Sequence, residues 1–279
     1  MSAEQWIELA STLDVDGLEF YWGFTPRDID SARRMREFAE SRGLPIPMMC
    51  YSPDFIQIDP ARFRQEVESE REAIEISAAL GCRYCRVLSG QRRPDVGRDE
   101  GVALASRAIV ELLPHAERFG VTLVLENHYK DGFWSFPEFA QKTDVFLQLL
   151  DALPESPNFG VNYDPSNTLI AGEDPIALLE AVKHRVVTMH ASDRYLEGGT
   201  LDDLRRLEAD PRAGYASILK HGVIGQGLND YDAIFGLLSG VGFDGWVSIE
   251  DGQDPAVGME HLRLSAEFLR VKMREYGLK

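Results

Sequence analysis

The sequence predicts an α/β fold, a TIM (β/α)8-type barrel that lacks its first strand, built as a single domain over residues 1–279. Three observations predict it. Strand-like apolar runs alternate with helix-like stretches from one end of the chain to the other, the pattern of βαβ units on a parallel sheet. No Gly-rich dinucleotide or phosphate loop follows an early strand, which argues against an open doubly wound sheet. Several strands end in chemically active side chains, and barrels assemble their sites at strand ends.

The elements follow in order. Ser2 and Gln5 form a capping box that starts a helix over about residues 3–13. Gly17 to Trp22 reads as a strand. Thr25-Pro26 supplies a cap and a first-turn proline for a helix running to Gly43. Pro45 to Tyr51 is a strand, and Asp59-Pro60 opens a long helix that stops at Gly81. Tyr84 to Leu88 is a strand. The helical stretch from Arg98 to Phe119 carries Pro114, which should kink or divide it. Thr122 to Glu126 is a strand of β-branched and long aliphatic residues, suited to burial on both faces. Phe136-Pro137 starts a helix to Leu153. Phe159 to Asp164 is a strand, Asp174-Pro175 caps a helix to Lys183, and Val186 to His190 is a strand. A long excursion runs from about Tyr195 to Gly227. A short helix over 230–239 and the strand Trp246 to Glu250 follow, and Asp254-Pro255 opens a last helix ending near Gly277.

That order holds seven strands, with none ahead of the first helix. Either residues upstream are absent from this chain, or the barrel has a gap, expected between the Glu19 strand and the Glu250 strand. Two unpaired sheet edges would flank it, to be covered by another segment or by a partner subunit, as in a homodimer.

Composition narrows the function classes. Hydrophobic residues make up 44% and charged residues 27%, the balance of a globule with a sizeable core. The net charge of −17 sets the surface against polyanions, since nucleic-acid affinity comes largely from Lys and Arg on phosphates. No nucleic-acid partner is expected. No apolar run approaches the ~20 residues of a membrane span, and the first residues lack a signal peptide's basic and apolar regions. The three cysteines, Cys50, Cys82 and Cys85, suggest a reducing, cytoplasmic setting. An offset of three puts Cys82 and Cys85 on opposite faces of a strand, so they read as small apolar filler.

The chemistry lies at strand ends. Glu126 closes a strand that tolerates no unpaired carboxylate, so it needs a partner. Asp164, His190 and Glu250 close three later strands. Three carboxylates on one rim would repel one another without a cation between them. An oxygen-rich set with one nitrogen suits Mn²⁺, Mg²⁺ or Co²⁺. His128 lies two residues past Glu126 and is a candidate substrate contact or proton shuttle. Asn167 could donate to a substrate hydroxyl. Asp193 could orient His190 or bind a hydroxyl, with Arg194 beside it. His221 and the glycines of Gly225-Gln-Gly227 close the long excursion, a length that usually carries function or mobility. Tyr21 and Trp22 could floor a sugar site.

The text around these residues resembles the xylose-isomerase-like TIM-barrel superfamily of sugar phosphate isomerases and epimerases. The resemblance rests on Leu-Glu126-Asn-His, Asn-Tyr-Asp164-Pro-Ser-Asn167, Met-His190-Ala-Ser-Asp193, Gly225-Gln-Gly227 and Ser-Ile-Glu250-Asp-Gly. It covers nearly the whole chain except the absent first strand. It implies a divalent metal, Mn²⁺ above all, held by Glu126, Asp164, His190 and Glu250. It also implies a cis-enediolate mechanism in which Glu126 and Glu250 form the proton-transfer pair. The nuclease branch of this superfamily uses extra histidines, but this chain has Met49-Cys50-Tyr51 and Asn167 at those places. Sugar-isomerase relatives also commonly keep a histidine where Asn167 stands. The resulting expectation is a metal-dependent keto-sugar isomerase or epimerase. The alternatives are a lyase or dehydratase on a keto-polyol or keto-glycoside, and a non-catalytic sugar-binding subunit.

Overall fold

The structure is a computed structural model that describes residues 1–208, 216–250 and 257–278. The chain folds as two compact units. One comprises Met1–Glu126, Lys130–Ala140 and Asp144–Gly160, and the other Asn127–Tyr129, Gln141–Thr143 and Val161–Lys279.

In the first unit, α1 (Ala3–Ala10) begins at the predicted capping box, with Ser2 and Gln5 bonded reciprocally. Strand β1 (Glu19–Tyr21) leads into a 3-10 turn over Trp22–Phe24 and then into α2 (Ile29–Ser41). The cap of α2 is Asp28, which accepts from Ser31 N, and not Thr25. The Thr25 hydroxyl instead donates back to Tyr21 O at 3.0 Å, so Thr25 closes the preceding turn. Strand β2 (Met48–Cys50) precedes α3 (Pro60–Leu80), capped by Asp59 and stopped by Gly81 at φ 81°. The buried stripe of α3 runs Phe63, Val67, Glu70, Ile74 and Ser77, a helical repeat that includes a carboxyl group. Strand β3 (Tyr84–Val87) is followed by α4 (Arg98–Phe119), one unbroken helix with Pro114 inside it. A proline removes the bond to the carbonyl four residues back. That carbonyl belongs to Val110, an exposed residue, so water can take its place.

Strand β4 spans Thr122–Glu126 as predicted. The helix expected from Phe136 does not form there; α5 covers Thr143–Asp151. Residues 136–141 form no helix because Glu138 is tied to the loop after β3. Its Oε1 accepts from Ser89 N at 2.7 Å and Gly90 N at 3.3 Å, and also from the Ser89 hydroxyl. Phe139 N donates to Gly90 O in the same clasp. Tertiary bonds here override a helix-start signal that was only local.

Strand β5 (Phe159–Tyr163) carries the chain into the second unit. A short helix not expected from the sequence follows it, α6 (Pro165–Ile170), capped by Asp164. Helix α7 (Pro175–Val182) is capped by Asp174 as expected, and β6 (Val186–Ala191) follows. The long excursion is structured. It holds β7 (Arg194–Leu196), α8 (Leu201–Glu208) and β8 (Leu219–His221), and β7 and β8 form an antiparallel pair. Leu196, Leu204, Leu219 and Tyr129 pack together beneath that pair. Helix α9 (Tyr231–Gly240), strand β9 (Trp246–Ile249) and helix α10 (Gly258–Glu275) complete the chain. The predicted helix start at Asp254-Pro255 falls outside the described residues.

The main sheet has seven strands in the order β1-β2-β3-β4-β5-β6-β9. Its strands pair in parallel, for example Glu19↔Met48 and Met48↔Tyr84 in the first unit and His190↔Ser248 in the second. Each new strand is added beside the previous one, with no reversal of order. A doubly wound sheet needs such a reversal, and a barrel does not. Among the described residues the strand count is one short of eight, and β1 and β9 stand at the two ends of the order. This is a TIM-type barrel fold lacking one strand. All three cysteines are buried and free. Among the described residues, no helix is long and apolar enough to cross a membrane.

Candidate metal and proton-transfer site

In the first unit, β4 ends at Glu126, which is fully buried. Its partner is Arg86 on β3, itself 3% exposed. Arg86 Nη1 donates to Glu126 Oε2 at 2.8 Å. The register explains the meeting: Arg86 pairs with Val124, and Val124 and Glu126 share one face of β4. The same guanidinium donates through Nη2 to Ser52 Oγ at 2.8 Å and through Nε to Tyr51 O at 3.3 Å.

In the second unit, three predicted ligands come together. Asp164, His190 and Glu250 each offer a ligand atom within 4.8 Å of those of the others. Asp164 is held from several sides. Its Oδ1 accepts from Ser166 N at 2.6 Å, Asn167 N at 3.0 Å and Ser192 Oγ at 3.1 Å. Its backbone is clamped by Asn127, which accepts from Asp164 N at 2.8 Å and donates to Asp164 O at 2.6 Å. His190 is buried in β6, and its Nδ1 lies 3.6 Å from Glu250 Oε2. Glu250 follows β9 and stays in register, its N–H donating to Ala191 O at 2.9 Å. Its side chain is 42% exposed.

These donors fit a divalent cation. Two carboxylates and an imidazole crowd together, Asp164 and His190 buried and Glu250 half-exposed, and a shared cation offsets the like-charge repulsion. Oxygen-rich ligand sets of this kind suit hard or borderline divalent ions.

The other predicted residues distribute unevenly. Asp193 is buried beneath the loop that follows it. Its Oδ2 accepts from Gly225 N and Gly227 N, both at 2.9 Å, and its Oδ1 from Arg194 N and Asn229 N. With both oxygens engaged by backbone N–H groups, Asp193 anchors the loop and does not present a free oxygen to a substrate hydroxyl. Gly227 is required there, because a Cβ would collide with the Asp193 carboxylate. Arg194 and His221 face each other across the β7–β8 pair. His221 is pushed down to about 4, first by burial and then by the Arg194 charge. Asn167 lies on the first turn of α6 and is buried, and His128 is half-buried one residue past the Asn127 clamp. Trp22 belongs to the first unit. Arg27 stacks 3.8 Å over its ring, and Tyr51 meets it edge-on at 5.0 Å. One face of that indole is therefore occupied by a cation, against its expected role as an open sugar floor.

Sequence reading missed Arg86, Asn127 and Ser192 as parts of the site. A signal for Arg86 was present. It is the one charge in the apolar run from Tyr84 to Leu88, and a buried charge needs a counter-charge as much as Glu126 does.

A family model described as xylose isomerase-like TIM barrel matches residues 7–271. The chain belongs to that family. Among curated proteins it is similar to an inosose dehydratase of Geobacillus kaustophilus, 28% identical over 213 residues, which span 71% of this chain and 65% of that protein. It is also similar to a 3-oxo-isoapionate decarboxylase of Pectobacterium atrosepticum, 29% identical over 161 residues, 58% of this chain and 49% of that one. The chain thus matches less than two thirds of the length of these relatives. Among solved structures, an L-ribulose 3-epimerase superposes with a TM-score of 0.76 at 17% identity, covering 99% of this chain and 90% of the other. An IOLI protein with a binding zinc atom gives 0.76 at 17%, covering 98% and 94%. At such identities the structures speak for the fold alone. The sequence relatives are named a dehydratase and a decarboxylase, so the family is one of enzymes, and isomerase chemistry has no precedence over lyase chemistry.

Proposed function

We propose that this chain is a divalent-metal-dependent enzyme that moves a proton at the carbon beside the carbonyl of a small polyhydroxylated ketone. Glu126, Asp164, His190 and Glu250 are the residues that would hold the ion. The observation carrying this reading is the convergence of Asp164, His190 and Glu250 within 4.8 Å. Glu126 is the natural fourth member, because it immediately precedes Asn127, the residue that clamps Asp164. Mn²⁺ is the proposed ion, with Mg²⁺ and Co²⁺ next on the same ligand argument. When bound, such an ion supplies Lewis-acid polarisation of the ketone oxygen.

The protein's own groups do the rest. Glu250 is half-exposed and within reach of solvent, so it can take the proton from carbon and exchange it. Glu126 is the second member of the pair. His128 and Asn167 are proposed to hold substrate hydroxyls, and Arg194 and His221 to bound the pocket from the β7–β8 side. Burial keeps His221 neutral at physiological pH, so it can accept as well as donate.

Two outcomes share this first step. If a hydroxyl leaves from the carbon next to the carbanion, the reaction is a dehydration, and the likeness to inosose dehydratase favours this branch. If the proton returns to the other face or to the neighbouring carbon, the reaction is an epimerisation or isomerisation, as in the name of the L-ribulose 3-epimerase that shares the fold. The test is incubation of the Mn²⁺-supplemented protein in D₂O with keto-inositols and with free ketoses, followed by NMR. Deuterium entering recovered substrate or its epimer supports the second branch, and loss of water supports the first. Absence of C–H exchange in every ketone, with or without added metal, overturns the proposal.

A further inference from the structure

We infer that Arg86 is a positioning residue for Glu126, fixing the carboxylate that the ion-binding set draws from β4; this rests on the metal-dependent reading above. The guanidinium is planar and carries its donors in a fixed fork. Here each of three nitrogens is engaged: Nη1 on Glu126 Oε2, Nη2 on Ser52 Oγ and Nε on Tyr51 O. Ser52 and Tyr51 lie just past β2, so the fork is braced on one side of β3 and presents its remaining edge to β4 on the other. A braced fork cannot swing to follow Glu126. It therefore decides which oxygen of Glu126 is committed and which one an ion can share.

Burial makes the arrangement specific. The Arg86 and Glu126 side chains are 4% and 0% exposed, so water does not compete for either charge. A second carboxyl group, Glu70 on α3, also feels the Arg86 charge. Glu70 is buried and touches the Cys85 thiol, and burial holds it toward its neutral form. The Arg86 charge is thus directed to Glu126. Groups that orient a metal ligand from behind typically change affinity by about 10–100-fold when removed.

The experiment is titration of EDTA-stripped protein with Mn²⁺ alone, reading free Mn²⁺ by EPR, for wild type, Arg86→Met, Arg86→Lys and Ser52→Ala. Arg86→Met is expected to weaken Mn²⁺ binding about 10–100-fold. Arg86→Lys should recover part of that loss, because an ammonium keeps the charge without the fork. Ser52→Ala removes one brace, keeps the ion pair and should weaken binding only a few fold. It also serves if Arg86→Met fails to fold, as judged by circular dichroism. A folded Arg86→Met protein with wild-type Mn²⁺ affinity overturns the inference, as does a change confined to KM, which would mark Arg86 as a substrate contact. If Arg86→Met does not fold, wild-type Mn²⁺ affinity in Ser52→Ala and Arg86→Lys overturns it. Wild-type protein that binds no Mn²⁺ overturns the metal reading itself, and Arg86 positioning with it.

Discussion

The glutamates that end β4 and β9 are the same residue in opposite surroundings. Glu126 is sealed from water and locked to a buried arginine, while Glu250 is half-exposed with an imidazole 3.6 Å away. A locked carboxylate is suited to holding an ion, and one open to solvent is suited to carrying a proton in and out. The difference teaches that a ligand set can be symmetric in chemistry and asymmetric in duty.

The largest expected effect falls on Glu250. Glu250→Gln should lower α-proton exchange by about 10²–10⁴-fold, the range for losing a general base, while leaving the fold intact. Exchange at the wild-type rate would remove Glu250 from the proton path. Stability should show the reverse order. Glu126→Ala strands a buried guanidinium and should cost about 3–5 kcal/mol in urea unfolding. Glu250→Ala, at a half-exposed position, should cost less than about 1 kcal/mol. Equal losses in the two variants would erase the proposed contrast.

A smaller effect is expected from Asp193→Ala. It leaves the N–H groups of Gly225, Gly227 and Asn229 without their acceptor and should cost about 1–3 kcal/mol. The loss should appear first as faster hydrogen exchange of those amides. Unchanged exchange there would mean the loop is held by other bonds.

Glu138 sharpens the comparison from a third side. It is buried like Glu126, but it accepts from the neutral donors of Ser89 and Gly90. Burial pushes its carboxyl up to about 8. A folded-state value above the unfolded one gives stability that is full below about 4.5 and is lost as pH rises toward 8. Glu138→Gln keeps an acceptor without that titration. Relative to wild type it should therefore gain on the order of 1 kcal/mol between pH 5 and pH 8. Parallel pH profiles for the two proteins would show that Glu138 does not titrate in that range.

Much of this was legible in order along the chain. Helix caps at Ser2, Asp59 and Asp174 are read from a few adjacent residues, and all three hold. The helix expected at Phe136 failed because its competitor, the clasp between Glu138 and Ser89, joins residues 49 apart. The cap is Asp28 and not Thr25 because the Asp28 carboxylate accepts from Ser31 N, while Thr25 lies in the turn before it and donates its hydroxyl to Tyr21 O. The excursion after His190 was legible as long but not as a strand pair, since β7 and β8 have only three residues each.

By itself, the sequence determined the alternation of parallel strands with helices and which side chains stand at the strand ends. All of these follow from periodicity and local chemistry, which act over a few residues. Tertiary structure alone decided the duties of those side chains: Arg86 on Glu126, Asn127 on Asp164, Asp193 turned under its loop and Arg27 over Trp22. Buried charges and hydrogen-bonding groups take whichever partner the folded chain brings within about 3 Å, and that choice is made between residues far apart in sequence.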